Sequence, residues 1–247
     1  MRLLFDAGIS GKQAQQRLLR HGRDIAQVDA LLISHDHRDH SRCLGIFQRK
    51  FALPVFVSQK TLAAAAAYND LGPLKSVQHF GPASVLHFGD VRVETIPTPH
   101  DAVDGMAFVV DDGQRRLGIL TDLGHAFDGL EEILGSLDAV VLESNFDPAM
   151  LANGPYPEFV QRRIRGPRGH LSNIEAAELL GAVAGGRLQW ACLAHLSEHN
   201  NHPNVALRTH RNVVGDRLEL LVAGRYAATD VLYVPTPWAG RPAQCLC

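Results

Sequence analysis

The 247-residue sequence predicts one α/β domain in which β-sheets pack between helices. Three observations predict it. Helix and strand patterns interleave over residues 2–68 and again from 139 onward. Between them, short strands punctuated by Gly, Pro or Asp fill 77–120. No internal repeat or long linker divides the chain, so the expected domain is 1–234, followed by a loose Pro/Gly-rich tail over 235–247.

In chain order, residues 2–8 read as a strand entering a Gly turn, and Ser10 caps a helix over 12–20 that His21-Gly22 closes. Residues 28–34 form a continuous apolar strand buried on both faces. A single helix is expected over 39–51, with Leu44, Phe47 and Phe51 at core spacing. A strand at 54–57 and an alanine-rich helix at 59–68 follow. The meander reads as strands at 77–80, 85–88, 91–96, 107–110 and 117–120. Strands are then expected at 139–142, 190–194 and 218–222, and helices at 157–164, 173–184 and 203–214.

Composition excludes several classes. Hydrophobic content of 46% with 20% charged residues describes a globular chain with a real core rather than a disordered one. No apolar run approaches the ~20 residues of a membrane helix. The N-terminus reaches Asp6 too soon for a secretory signal, and Cys43, Cys192, Cys245 and Cys247 form no paired framework. A cytoplasmic location is the expectation. With a net charge of −2, the molecule as a whole is no electrostatic nucleic-acid binder. A polyanion would have to be gripped locally.

The chemistry concentrates where the strand at 28–34 ends, in Ser34-His35-Asp36-His37-Arg38-Asp39-His40. Three histidines and two aspartates this dense would repel or go unsatisfied in a core, and a pair of transition-metal ions would gather them. Alternate residues of an extended segment project to one side, so His35 and His37 reach one ion together. Asp39 and His40, at the start of a helix, face a second. Imidazole nitrogens with a carboxylate oxygen suit zinc, manganese or iron better than calcium or magnesium.

Three later strand ends offer further ligands. His100 follows Ile96-Pro97-Thr98-Pro99 on a rigid loop, Asp122 ends the strand at 117–120 with two oxygens able to bridge two ions, and His195 closes 190–194. Alone, His100 reads as a loop histidine and Asp122 as a helix cap. In this order after His-x-His-x-Asp-His the three gain weight together.

That order resembles the metallo-β-lactamase superfamily. Leu4-Phe5-Asp6-Ala7-Gly8, Thr121-Asp122-Leu123-Gly124, Leu142-Glu143-Ser144-Asn145, Gly169-His170-Leu171-Ser172-Asn173 and His195-Leu196-Ser197-x-x-Asn200-Asn201 resemble its YycJ/WalJ-type branch. This branch comprises bacterial cytoplasmic hydrolases regarded as DNA exonucleases, related to RNase Z and RNase J. The resemblance implies a four-layer αβ/βα sandwich and 5′-to-3′ digestion of DNA, in preference to RNA. It implies two divalent ions, zinc or manganese: one on His35, His37 and His100, the other on Asp39, His40 and His195, with Asp122 bridging. Asp6 would steady the ligand loop, Asp39 would also orient the nucleophile, and His170 held by Glu143 would serve the scissile phosphate. Ser172 and Asn173, in the same motif as His170, are expected at the substrate, although Ser172 is equally placed to cap the following helix.

Two departures stand out. Members of the branch open on an additional strand pair and a Ser-Gly-Ser-x-Gly-Asn type loop, so the first sheet is expected without that pair and with an exposed edge. Phe146 stands where histidine is common, and phenylalanine binds neither metal nor phosphate. Cys245-Leu246-Cys247 is incidental to the resemblance, and Cys43 and Cys192 are expected to be buried.

Four arginines, Arg162, Arg163, Arg165 and Arg168, run into His170; Arg165 and Arg168 are expected on the phosphate backbone. No aromatic residue interleaves with them, so the sequence gives no signal for base stacking. Two other readings remain. One is a small-molecule phosphodiesterase, thioesterase or lactonase of the same fold, and the other is a metal-retaining regulatory module without turnover.

Overall fold

A computed structural model describes residues 1–234. The tail expected over 235–247, with Cys245 and Cys247, lies outside the described residues. The first sheet has four parallel strands in the order β1 (Leu3–Phe5), β2 (Ala30–Leu32), β3 (Val55–Phe56) and β4 (Val77–Gln78). The second has seven. Its antiparallel part is the meander β5 (Val85–Phe88), β6 (Val91–Pro97), β7 (Met106–Asp111) and β8 (Arg116–Leu120). From β8 it continues in parallel through β9 (Ala139–Glu143), β10 (Trp190–Ala194) and β11 (Glu219–Val222).

Strand alternation assigns each face. In β2, Leu31 turns with Val55, Leu44 and Phe47 toward the helices, while Ala30 and Leu32 turn with Phe88, Val93 and Phe108 into the space between the sheets. On the far face of the second sheet, Val109, Leu120, Val140, Leu142 and Leu193 pack under helices with Leu134, Leu180 and Ala206. The layers are therefore helix, sheet, sheet, helix, the four-layer sandwich expected. β1 lies at one edge of its sheet, with β2 its neighbour on the other side.

The outer layers begin with α1 (Gly11–Leu19), where Ser10 and Gln13 form a capping box. The single helix expected over 39–51 is two, α2 (Arg38–Ser41) and α3 (Leu44–Phe51). The loop after β1 breaks it: the amide of Ala7 donates to the carbonyl of His40 and the amide of Cys43 donates to the carbonyl of Ala7. Those bonds displace the helical ones. Of the three residues expected at core spacing, Leu44 and Phe47 are buried and Phe51 is half-buried.

Helix α4 (Gln59–Tyr68) starts at the Ser58 cap. Residues 77–80, expected to open the meander, instead give β4 to the first sheet. Gln48 of α3 fixes that segment by donating to the carbonyl of Ser76 and accepting from the amide of Lys75. Periodicity says nothing about such a partner choice. Two short helices escaped the pattern, α5 (Leu130–Gly135) and α6 (Pro148–Ala152). The second carried a legible signal, Asp147 capping and Pro148 in the first turn.

Helices α7 (Glu158–Ile164), α8 (Asn173–Val183) and α9 (Pro203–Val214) match their expected positions to within a residue. Cys43 and Cys192 are buried free thiols. Phe146 is buried against Leu151 and Ile164, a packing residue. Among the described residues no helix is long and apolar enough to cross a membrane.

On α9, His210 is fully buried; its Nδ1 donates to the carbonyl of Ala206 and its Nε2 has no partner. Burial pushes its pKa down to about 4. The folded chain therefore holds it neutral. Its stabilising contribution is complete above pH ~6.5 and is lost as pH falls toward 4, a loss of about 3 kcal/mol. Denaturant melts between pH 7 and 4 should show that loss in wild type and a much flatter profile in His210→Leu.

Candidate metal centre

The site lies where strand ends converge. Strands β6, β8, β9 and β10 run in one direction through the second sheet, so the segments leaving their C-terminal ends share one edge. They carry His100, Asp122, Glu143 and His195. The segments leaving β1 and β2 bring Asp6 and residues 34–40 from the first sheet. Asp6, Asp122 and His195 all take left-handed backbone angles, with φ of 62°, 56° and 57°. Such angles cost non-glycine residues about 1–3 kcal/mol each and concentrate at functional sites.

The ligand loop is held in place from β1. Asp6 accepts from the amide and the hydroxyl of Ser34 at 2.8 and 2.9 Å and from Nδ1 of His40 at 2.7 Å. At Gly8 a β-carbon would lie 1.4 Å from the carbonyl oxygen of Asp39, so only glycine fits there. Asp36, which sequence reasoning passed over, is buried. Its carboxylate accepts from the Tyr68 hydroxyl and from the amide of Val103. The signal was an aspartate between His35 and His37, too short a side chain to reach solvent from a buried segment.

Hydrogen bonds at Nδ1 fix the ring orientations. Ser34 gives its one hydroxyl proton to Asp6, so it accepts from Nδ1 of His35 at 2.9 Å. His100 donates from Nδ1 to the carbonyl of Gly169 at 2.7 Å, and His195 Nδ1 lies 3.3 Å from Glu143. In His35, His40, His100 and His195 the Nε2 atom is thereby turned to the centre.

These atoms form overlapping groups, each within 4.8 Å throughout: His35, His37 and His100; His35, His40 and Asp122; Asp39, His40 and His195. Asp122 lies between them, 3.4 Å from His40, 3.6 Å from His195 and 3.7 Å from His100. A cation fits this set. Nε2 of His35 and Oδ2 of Asp122 are buried without any hydrogen-bond partner. Nδ1 of His37 lies 3.3 Å from Nε2 of His100, two ring nitrogens that a shared proton or cation must reconcile.

Electrostatics agree. Burial and the neighbouring His40 hold His35 well below the usual histidine range, hence neutral. Burial opposes charge on His40, yet Asp122 and Asp6 outweigh it and raise its pKa to about 9. Burial would raise Asp122, but His195, His40 and His35 hold it well below the carboxylate range. Asp122 is therefore ionised, with the raised His40 and His195 beside it as its counter-charges.

Glu143 is fully buried and accepts from the amides of Leu123 and Leu171 at 3.0 and 3.2 Å. Burial works against its charge, but His170 brings its pKa down to about 2. Nδ1 of His170 donates to Glu143 at 2.6 Å, leaving Nε2 free. An open pocket has walls of His37, Asp39, Asp122, His170 and His195, and Arg38, Tyr68 and Arg163 also line it.

Other expected site residues lie elsewhere. The Ser172 side chain caps α8 in a box with Glu175. Asn173 is buried, bonded to Ser144 and Asn201. Expected at the substrate, both are committed to scaffold, because a helix start and a buried amide must satisfy their polar groups. Arg165 and Arg168 are exposed and do not line the pocket; Arg163 does, paired with Asp101 beside His100. Asn145, bonded to the His195 carbonyl at 2.8 Å, was visible only as part of a motif.

Removing the Asp6 anchor should loosen His40. Asp6→Ala is expected to weaken metal affinity about 10- to 100-fold, measured by competition with a chromogenic chelator.

The model of the Beta-lactamase superfamily domain family matches residues 1–195. Exodeoxyribonuclease YycJ of Bacillus anthracis is 33% identical over 240 residues, 94% of this chain and 91% of that protein. Exodeoxyribonuclease WalJ of Streptococcus pneumoniae is 33% identical over 213 residues, 85% and 79% of the two. Among solved structures, the metallo-β-lactamase fold protein YhfI from Bacillus subtilis superposes with a TM-score of 0.66 at 20% identity, over 90% of this chain and 84% of that one, a likeness of fold. The chain belongs to the metallo-β-lactamase superfamily of metal-dependent hydrolases. Its place within that superfamily is the YycJ/WalJ type.

Proposed function

We propose that the chain is a phosphodiester hydrolase dependent on two divalent ions, zinc or manganese, and that it degrades DNA from a strand end. One observation carries the reading: the His170–Glu143 pair opens on a pocket that also contains Asp122 and is lined by two guanidinium groups, Arg38 and Arg163. Guanidinium groups suit a phosphate anion; a neutral thioester or lactone has no use for them.

His35, His37 and His100 would hold one ion, Asp39, His40 and His195 the other, and Asp122 both. When bound, the ions neutralise charge on the phosphoryl oxygens and provide a nucleophile from water near neutral pH. Asp39, exposed at the pocket, accepts a hydrogen bond that orients that nucleophile. Ionised Glu143 fixes the tautomer of His170, so Nε2 faces the substrate and, when protonated, donates to a phosphate oxygen or the leaving group. Arg38 has no ion-pair or side-chain hydrogen-bond partner among the described residues, which leaves it available to a phosphate.

A time course on 5′- and 3′-labelled DNA and RNA with zinc, manganese or magnesium tests this. DNA should shorten faster than RNA, with the 5′ label released first. Cleavage of a small phosphodiester or thioester with DNA left intact would favour the small-substrate reading. Equal background with wild type and His170→Ala would favour a metal-holding module.

A further inference from the structure

The three histidines expected to share one ion come from two different sheets. His35 and His37 follow β2 of the first, and His100 follows β6 of the second. The hydrogen bonding inside either sheet does not set the distance between them. Apart from the ring contact of His37 with His100, one hydrogen bond among the described residues joins residues 34–40 to the loop that carries His100. In it the amide of Val103 donates to the carboxylate of Asp36 at 2.8 Å.

Asp36 is buried between His35 and His37, and its other carboxylate oxygen accepts from the hydroxyl of Tyr68, the last residue of α4. That hydroxyl also lies 2.6 Å from the carbonyl oxygen of Asp36, to which Ser41 donates at 2.7 Å. One carboxylate thus ties the ligand loop, α4 and the His100 loop together. Burying it is costly unless both oxygens are satisfied, so its partners are held where they are. The same loop is docked on α4 from its other side. Thr61 donates to the carbonyl of Val103 at 2.8 Å, and Ser58 to the carboxylate of Asp104 at 3.0 Å. Asp104 takes a left-handed φ of 49°, a conformation that persists where the surroundings over-determine it. The bonds at Asp6 differ in reach: they go to Ser34 and His40, within the first sheet.

We propose that Asp36 and Tyr68 form an inter-sheet brace. They are positioning residues that preset the spacing of His35 and His37 against His100 and so govern the affinity of the ion on those three, whereas Asp6 governs the ion on His40. The brace presupposes the two-ion reading above and adds which residues decide each ion. Tyr68 is 46% exposed and phenylalanine keeps its ring, so Tyr68→Phe removes the hydroxyl without emptying the core.

Chelator-stripped wild type, Tyr68→Phe, Asp36→Asn and Asp6→Ala should be titrated with zinc against a chromogenic chelator, and the two stepwise affinities compared. Tyr68→Phe and Asp36→Asn should each hold one ion as wild type does and the other about 10- to 100-fold more weakly, the range for groups that orient metal ligands. Combining these two should add little, because both act through one carboxylate. Combining Tyr68→Phe with Asp6→Ala should weaken both ions. If Tyr68→Phe weakens both ions equally or neither of them, the brace is refuted while the two-ion reading stands. If wild type takes up fewer than two ions, the two-ion reading falls with it.

Discussion

His170→Ala is expected to lower phosphodiester turnover by about 10²- to 10⁴-fold, the usual contribution of a positioned acid–base group, with metal content unchanged. The separation of the two effects follows from the geometry. His170 spends Nδ1 on Glu143 and is part of the pocket wall, whereas His35, His37, His40, His100 and Asp39 are anchored or grouped without it. Glu143→Gln should approach the same defect by a different route. An amide in place of a carboxylate that accepts from Leu123, Leu171 and His170 leaves donors facing donors and frees the tautomer. A drop in metal content in His170→Ala equal to the drop in rate would move this histidine from the substrate to the ligand set.

Asp122→Ala should be more damaging still. This one carboxylate lies within 3.4–3.7 Å of His40, His195 and His100, and both expected ions depend on it. Its loss should empty both positions and reduce turnover by about 10³-fold or more, equivalent to several kcal/mol of missing charge stabilisation. The metal-free protein should also suffer. His40, held protonated to about pH 9 by Asp122 and Asp6, would lose its principal counter-charge while buried. Breaking a buried pair in this way costs about 3–5 kcal/mol, which a denaturant melt of chelator-treated protein would register. Asp122→Asn keeps the volume and should destabilise less while losing metal nearly as completely.

Much of this was readable from sequence because the ligands are local or sit at strand ends. His35 to His40 occupy six positions, and His100, Asp122 and His195 each follow an apolar strand, where a polar residue draws notice. Interleaved patterns pointed to sheets packed between helices, and the four layers were what the family resemblance implied. What escaped depended on contacts distant in sequence. The break between α2 and α3 comes from the Ala7 backbone, more than thirty residues away. The sheet to which β4 belongs was decided by Gln48 rather than by its own alternation. Arg163, and not Arg165 or Arg168, lines the pocket: it lies within α7, which ends at Ile164, and Asp101 holds its guanidinium there. Ser172 and Asn173 were drawn toward substrate by their proximity to His170, while the demands of a helix start and a buried amide claimed their side chains.

On the reading proposed above, the gathered histidines and aspartates form a two-ion centre that cuts DNA. Titrating zinc or manganese into chelator-stripped protein while following release of label from a 5′-labelled DNA strand tests it most directly. The rate should rise from background and saturate near two equivalents per chain. DNA that stays intact at every equivalent, with the ions demonstrably bound, would contradict the account.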